Sequence, residues 1–136
     1  MNVLPAHYGA VAAGSALGGL CRYLIAVAAY ACWGDGFPWP TLIANLLGSF
    51  LIGLYFALNL PDGRLNDSPA RRMFVMAGFC AGFTTFSLFS LESILLLEAG
   101  RFAALAVYLT LSLAGWMAAV WLGYRVGSPP SPASAV

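Results

Sequence analysis

The chain has 136 residues, 61% of them hydrophobic and only 8% charged. A soluble domain carries about 25% charged residues, so a water-soluble fold is excluded and a membrane protein is indicated. Six arginines, no lysine and five carboxylates leave a formal charge of +1, which gives no basic footprint for nucleic acid or for an anionic membrane surface. His7 is the sole histidine, and Cys21, Cys32 and Cys80 fit neither a metal cluster nor a disulfide framework. The cysteines read as small apolar fillers. No Ser/His/Asp set can be assembled inside the membrane, so an enzyme is not expected.

The start lacks a basic n-region, and its apolar run is too long for a cleaved signal peptide. Residues 8–33 therefore read as a first transmembrane helix. Gly14, Gly18 and Arg22 recur every four residues and share one face. Small residues at this spacing admit a neighbouring helix closely. An arginine inside a span needs an interface, water or a partner. Arg22 either snorkels or places a positive charge at the mouth of an anion path. Asp35, Gly36, Pro38 and Pro40 mark a short loop, flanked by Trp33 and Trp39 as interfacial anchors.

The second span, residues 41–60, has no charge. Asn45, Gly48, Ser49, Ile52 and Gly53 form a small, polar stripe at helical spacing. Asn45 offers two N–H donors, for an interhelical hydrogen bond or for a bare anion. Residues 61–70 form a turn-rich polar loop, followed by Arg71 and Arg72 as interfacial charges. A third apolar segment extends to residue 97. The fourth span, 102–124, is uncharged and carries Tyr108, Ser112 and Trp116 on one face. Residues 1–127 thus read as one transmembrane domain, and the Ser/Pro-rich residues 128–136 as a disordered tail. Arg64, Arg71, Arg72 and Arg125 on one side, against Arg101 on the other, lean both termini toward the cytoplasm.

The third segment is the anomaly. Residues 78–92 read GFCAGFTTFSLFSLE. Glycine and β-branched residues lower helix propensity, so the helix is expected to break here into two halves. A break exposes carbonyls without intrahelical partners, and at membrane depth a cation can replace those partners. Phe86 and Phe89 share a face, and an aromatic ring has a positive edge that can stabilise an anion without trapping it. Ser87 and Ser90 can add hydroxyl donors. Glu92 is expected near the interface, capping or pairing with an arginine.

This run resembles the signature of the Fluc (CrcB) family of fluoride ion channels, whose usual form is close to GFCGGxTTFSTFxxE. The runs Gly18-Gly19-Leu20-Cys21-Arg22-Tyr23 and Thr41-Leu42-Ile43-Ala44-Asn45-Leu46-Leu47-Gly48-Ser49-Phe50 resemble the first- and second-helix patterns of the same family. The resemblance implies an all-α integral membrane protein of four transmembrane helices, the third broken, assembled as a dual-topology homodimer. It implies passive passage of fluoride through two pores at the antiparallel subunit interface, in the inner (plasma) membrane, lowering cytoplasmic fluoride. It also implies a central structural Na⁺ held by backbone carbonyls, at positions that fall on Ala81 and Thr84. The anion pathway falls on Asn45, Phe86, Phe89, Tyr108 and Ser112, with Ser87 and Arg22 as further candidates.

Three positions depart from the family pattern. Ala81 stands where the pattern has glycine, and alanine is penalised at positive φ, so the sodium site needs a right-handed backbone there. Leu88 replaces a threonine, and Trp116 stands where some relatives have serine, which narrows or dries that end of the polar track. The alternative reading is a small dimeric proton-coupled exporter of organic cations, for which Glu92 is the only candidate carboxylate. A purely structural or assembly protein is a third reading.

Overall fold

A computed structural model describes residues 4–129; residues 130–136 of the expected tail lie outside the described residues. Four helical stretches are long and apolar enough to cross a membrane. They comprise α1 (Leu4–Trp33), α2 (Trp39–Leu58), a composite third span Pro69–Glu98, and the final helix Phe102–Gly127. The third span contains α3, residues 69–83, and α4 (Phe86–Glu98), and the final helix is α5. Within α3 the section Met73–Cys80 is wound as a wide π-helix. The multi-pass membrane class expected from composition is therefore the class observed, with the third helix interrupted.

Local chemistry sets the ends. Pro40 sits in the first turn of α2 and Pro69 opens α3, where the missing N–H would have no helical partner anyway. The Ser68 side chain caps α3 by accepting from the Arg71 amide at 3.4 Å. Gly34 and Gly100 take φ of +68° and +67° after α1 and α4, a left-handed turn that only glycine adopts at no steric cost. α1 begins at Leu4 rather than residue 8, and α5 runs to Gly127 rather than 124; frayed ends carry no sharp sequence signal.

Two backbone seams hold the bundle. A Cβ added to Gly14 or Gly18 would run into the main chain of α3, at Phe74 and Phe79 respectively, and one added to Gly82 would strike Ser15. On the other side, Gly53 meets the Val120 carbonyl and Gly123 meets the Phe50 carbonyl, joining α2 to α5. Lipid supplies no hydrophobic drive between helices, so close backbone approach carries the packing. Between the seams Leu42, Phe89, Leu96 and Tyr108 form a buried cluster.

The loop between α2 and α3 is built around Asp67. Its carboxylate accepts from the Tyr55 hydroxyl at 2.7 Å and from the Arg71 guanidinium at 2.6 Å. Its amide donates to the Asn59 side chain at 3.1 Å, and its carbonyl accepts from Arg72 at 3.2 Å. The Tyr55 hydroxyl, then Arg71, hold the Asp67 carboxyl below the usual carboxylate range. Arg71 and Arg72, expected as interfacial charges, thus also brace this loop.

Candidate functional site

The third span breaks at two threonines. Thr84 has φ −91° and ψ 161°, and Thr85 has φ −154° and ψ 121°. Both are extended, the region that β-branched side chains favour. Thr85 serves as the N-cap of α4, its Oγ1 accepting from the Leu88 amide at 3.2 Å. The Thr84 hydroxyl folds back onto the Cys80 carbonyl at 2.9 Å.

Asn45 of α2 clamps this break. Its Nδ2 donates to the Thr85 carbonyl at 2.9 Å, and its Oδ1 accepts from the Thr85 amide at 2.7 Å. One side-chain amide thereby meets both backbone polar groups of Thr85, including the N–H that the break had stripped of its helical partner. The interhelical bond left open by the sequence is the one formed.

The rerouted amides identify two of the carbonyls the break releases. In a continuous helix the Thr85 N–H would meet the Ala81 carbonyl; here it goes to Asn45. The Leu88 N–H would meet the Thr84 carbonyl; here it goes to the Thr85 hydroxyl. Ala81 itself has φ −67° and ψ −38°, so its side chain carries no left-handed penalty.

A cavity of about 400 Å³ opens beside the break. Asn45, Gly48, Ser49 and Ile52 of the α2 stripe line one wall, and Ala81, Thr84, Thr85 and Phe86 line another. No charged side chain lines it. Phe86 is 68% exposed in the single chain, whereas Phe89 is 6% exposed. Their ring centroids lie 5.5 Å apart. Phe89 continues the aromatic series inward, 5.3 Å from Tyr108 and 4.9 Å from Trp116, edge-on to the latter. Ser112 is fully buried on the same α5 face.

The remaining candidates fall elsewhere. Ser87 is exposed, its hydroxyl 3.1 Å from that of Thr85. Arg22 is half-buried on α1 and does not line the cavity. Ser90 donates to the Phe86 carbonyl of its own helix. Glu92 pairs with no arginine among the described residues. Its two oxygens accept from Thr41 at 2.8 Å and from Tyr108 at 2.6 Å, which ties α2, α4 and α5 together. The sequence held a signal for this that spacing alone exposes: Thr41 precedes Asn45 by one turn, and Thr85, Phe89 and Glu92 recur at i, i+4 and i+7.

A family model described as CrcB-like protein, Camphor Resistance (CrcB), matches residues 9–124, which takes in the break, its asparagine clamp and all four spans. The chain belongs to the CrcB family. Its relatives include the fluoride-specific ion channel FluC 1 of Rhodopseudomonas palustris (strain BisB18), 50% identical over 90% of this chain and 87% of the relative. The fluoride-specific ion channels FluC of Agrobacterium fabrum (strain C58 / ATCC 33970) and Paramagnetospirillum magneticum (strain ATCC 700264 / AMB-1) are 44% and 42% identical, each over 86% of this chain. The CrcB family that the third-span motif resembled is the one found, and it is a family of channels rather than enzymes.

Proposed function

We propose that this CrcB protein is a fluoride channel of the inner membrane, passing F⁻ passively and so lowering cytoplasmic fluoride. The observation that carries the reading is the cavity at the break, which offers amide, hydroxyl and ring-edge donors and no charged side chain. Fluoride is small and strongly hydrated, so a path must replace its water without binding it too tightly to release. Neutral donors meet both requirements. The relatives' function points to the same ion.

In this reading Asn45, Phe86, Phe89, Tyr108 and Ser112 flank the anion path, with Ser87 at its exposed edge and Arg22 as a distant positive charge. Two copies inserted in opposite directions form two such paths between them. The outward-facing Phe86 ring supports a path completed by a second subunit. The Ala81 and Thr84 carbonyls, deprived of their helical amides, fit a structural Na⁺ shared at the dimer centre. Such an ion would supply the positive charge that holds four carbonyl ends together.

The test is fluoride efflux from liposomes containing the pure protein. The expected result is rapid efflux once valinomycin lets K⁺ leave with the fluoride and balance its charge. Folded protein with no flux above empty vesicles would sink the idea. The exporter reading draws on Glu92, a carboxylate held inside a span, and it predicts proton-coupled transport that vanishes with Glu92→Gln.

A further inference from the structure

Two hollows follow one another down the seam between α2 and α3. The outer one, about 260 Å³, lies where α2 ends and the Asp67 loop begins, and Arg72, Asn59, Asn66 and Gly63 line it. The inner one, about 190 Å³, is walled by Leu51, Leu54 and Leu58 of α2 and by Val75 and Phe79 of α3. Tyr55 adds its ring there, because its hydroxyl is committed to Asp67. Leu58 adjoins Asn59, and Val75 follows Arg72 by one turn, so the apolar hollow continues the polar one toward the bilayer centre.

The polar hollow is preformed. The Leu65 amide donates to the Leu58 carbonyl at 2.8 Å, and the Gly63 amide to the Leu60 carbonyl at 2.8 Å. Arg72 is held from behind, its Nε and Nη2 donating to the Asp67 and Asn59 carbonyls at 3.2 Å and 3.4 Å. Those acceptors are neutral, so the charge stays uncancelled. The Asp67 carboxylate is taken up by Tyr55 and Arg71, and no carboxylate pairs with Arg72 among the described residues. A guanidinium has more N–H groups than the two used here, so donors remain for an anion. The depth matches a lipid headgroup. At this end of the bundle Tyr124 packs on Phe56 with ring centroids 6.4 Å apart, and Arg125 lies over Trp121 at 5.4 Å, an aromatic girdle of the kind that marks a bilayer surface.

We propose that the α2–α3 seam is a binding site for an anionic phospholipid, its phosphodiester on Arg72 beside Asn59 and Asn66, and one acyl chain along Leu58, Leu54, Val75 and Phe79. Arginine meets phosphate through charge-assisted hydrogen bonds, and basic pockets between spans suit headgroups. A second copy of the chain in the groove would cover the apolar hollow and leave the Arg72 charge unanswered, which favours the lipid. A lipid so placed joins α2 to the half of α3 that leads into the break. This site is independent of the ion conducted.

Native mass spectrometry of the full-length protein, released from detergent and titrated with dioleoyl phosphatidylglycerol, reads lipid adducts and oligomeric state together. Parallel titrations use dioleoylglycerol, which has the same chains and no phosphate, and inorganic phosphate. The expected result is one saturable phosphatidylglycerol adduct per subunit and none from either control at the same concentration. Arg72→Gln should weaken that adduct about tenfold, the effect of losing one hydrogen bond between charged groups, and Val75→Trp, which fills the groove, should weaken it comparably. Arg64→Gln removes the same charge from the same loop, lines neither hollow, and should leave the affinity unchanged. Equal weakening by Arg64→Gln and Arg72→Gln overturns the site in favour of diffuse attraction to a basic surface. Dioleoylglycerol binding as tightly overturns the role of the phosphate, and saturable binding of inorganic phosphate alone overturns the lipid. If Val75→Trp splits the oligomer while adducts persist, a second copy holds the groove and the proposal falls. Should Arg72→Gln fail to fold, the wild-type comparison of phosphatidylglycerol with dioleoylglycerol decides by itself.

Discussion

Asn45 meets both backbone polar groups of Thr85 with the two ends of its amide, so no other residue type fits the position fully. Replacing it with alanine leaves the Thr85 N–H unpartnered in a buried place, at a cost of about 1–3 kcal/mol. Thermal unfolding in detergent should show that loss, with Asn45→Asp falling between because it keeps only the acceptor. A variant as stable as the parent would remove the clamp from the account. Glu92 gives the opposite expectation. Glutamine can still accept one hydroxyl, and the other can turn, so Glu92→Gln should retain fluoride flux within a few-fold; abolition would favour proton-coupled exchange. Residues such as Asn45 and Phe89 stood out in the sequence because amides and paired aromatics are conspicuous inside spans. Thr41 did not, because its role arises from Glu92 on another helix.

At the level of helices and loops, the α1–α3 seam makes a sharp comparison. A Cβ at Gly18 would strike the Phe79 carbonyl, whereas one at Gly19 meets nothing within 4 Å. Gly18→Ala should destabilise the protein by about 1–3 kcal/mol, while Gly19→Ala should leave it unchanged or slightly more stable. Equal melting of the two variants would dissolve the seam. The Asp67 loop carries its own pH signature. A carboxyl held below its ordinary value by Tyr55 and Arg71 stabilises the fold above the unfolded-state pKa, about 4. That contribution fades as pH falls through the lower folded-state value. Protease nicking of the loop should therefore stay slow at neutral pH and quicken only below about pH 4, and Asp67→Asn should abolish the dependence. The break was legible because glycines and paired threonines weaken helix. The wide section Met73–Cys80 was not, since an extra residue per turn leaves no composition signature.

For the whole molecule, hydropathy marked the spans, and the third-span motif pointed to the family whose model matches residues 9–124. Arginine counting leans toward one orientation, whereas an antiparallel dimer needs both. Cysteines placed at Asp35 and Asp62 in a cysteine-free background should each label from both faces of intact cells. Labelling from one face alone would leave a parallel assembly. Replacing Na⁺ with N-methylglucamine should lower flux or loosen the dimer, read by liposome efflux and by cross-linking; indifference to sodium would detach Ala81 and Thr84 from any cation.

The asparagine clamp also bears on the order of assembly in the bilayer. Alone in lipid, the third span is held as one helix despite its glycines and threonines, because its Thr85 amide then finds the Ala81 carbonyl. Only when α2 docks and presents Asn45 does a Thr85 N–H without its helical carbonyl become tolerable. Insertion and breakage are then separate events, and the functional shape is acquired after the chain has already crossed the membrane. An isolated peptide of the third span in micelles should accordingly show uninterrupted helix through Thr84 and Thr85.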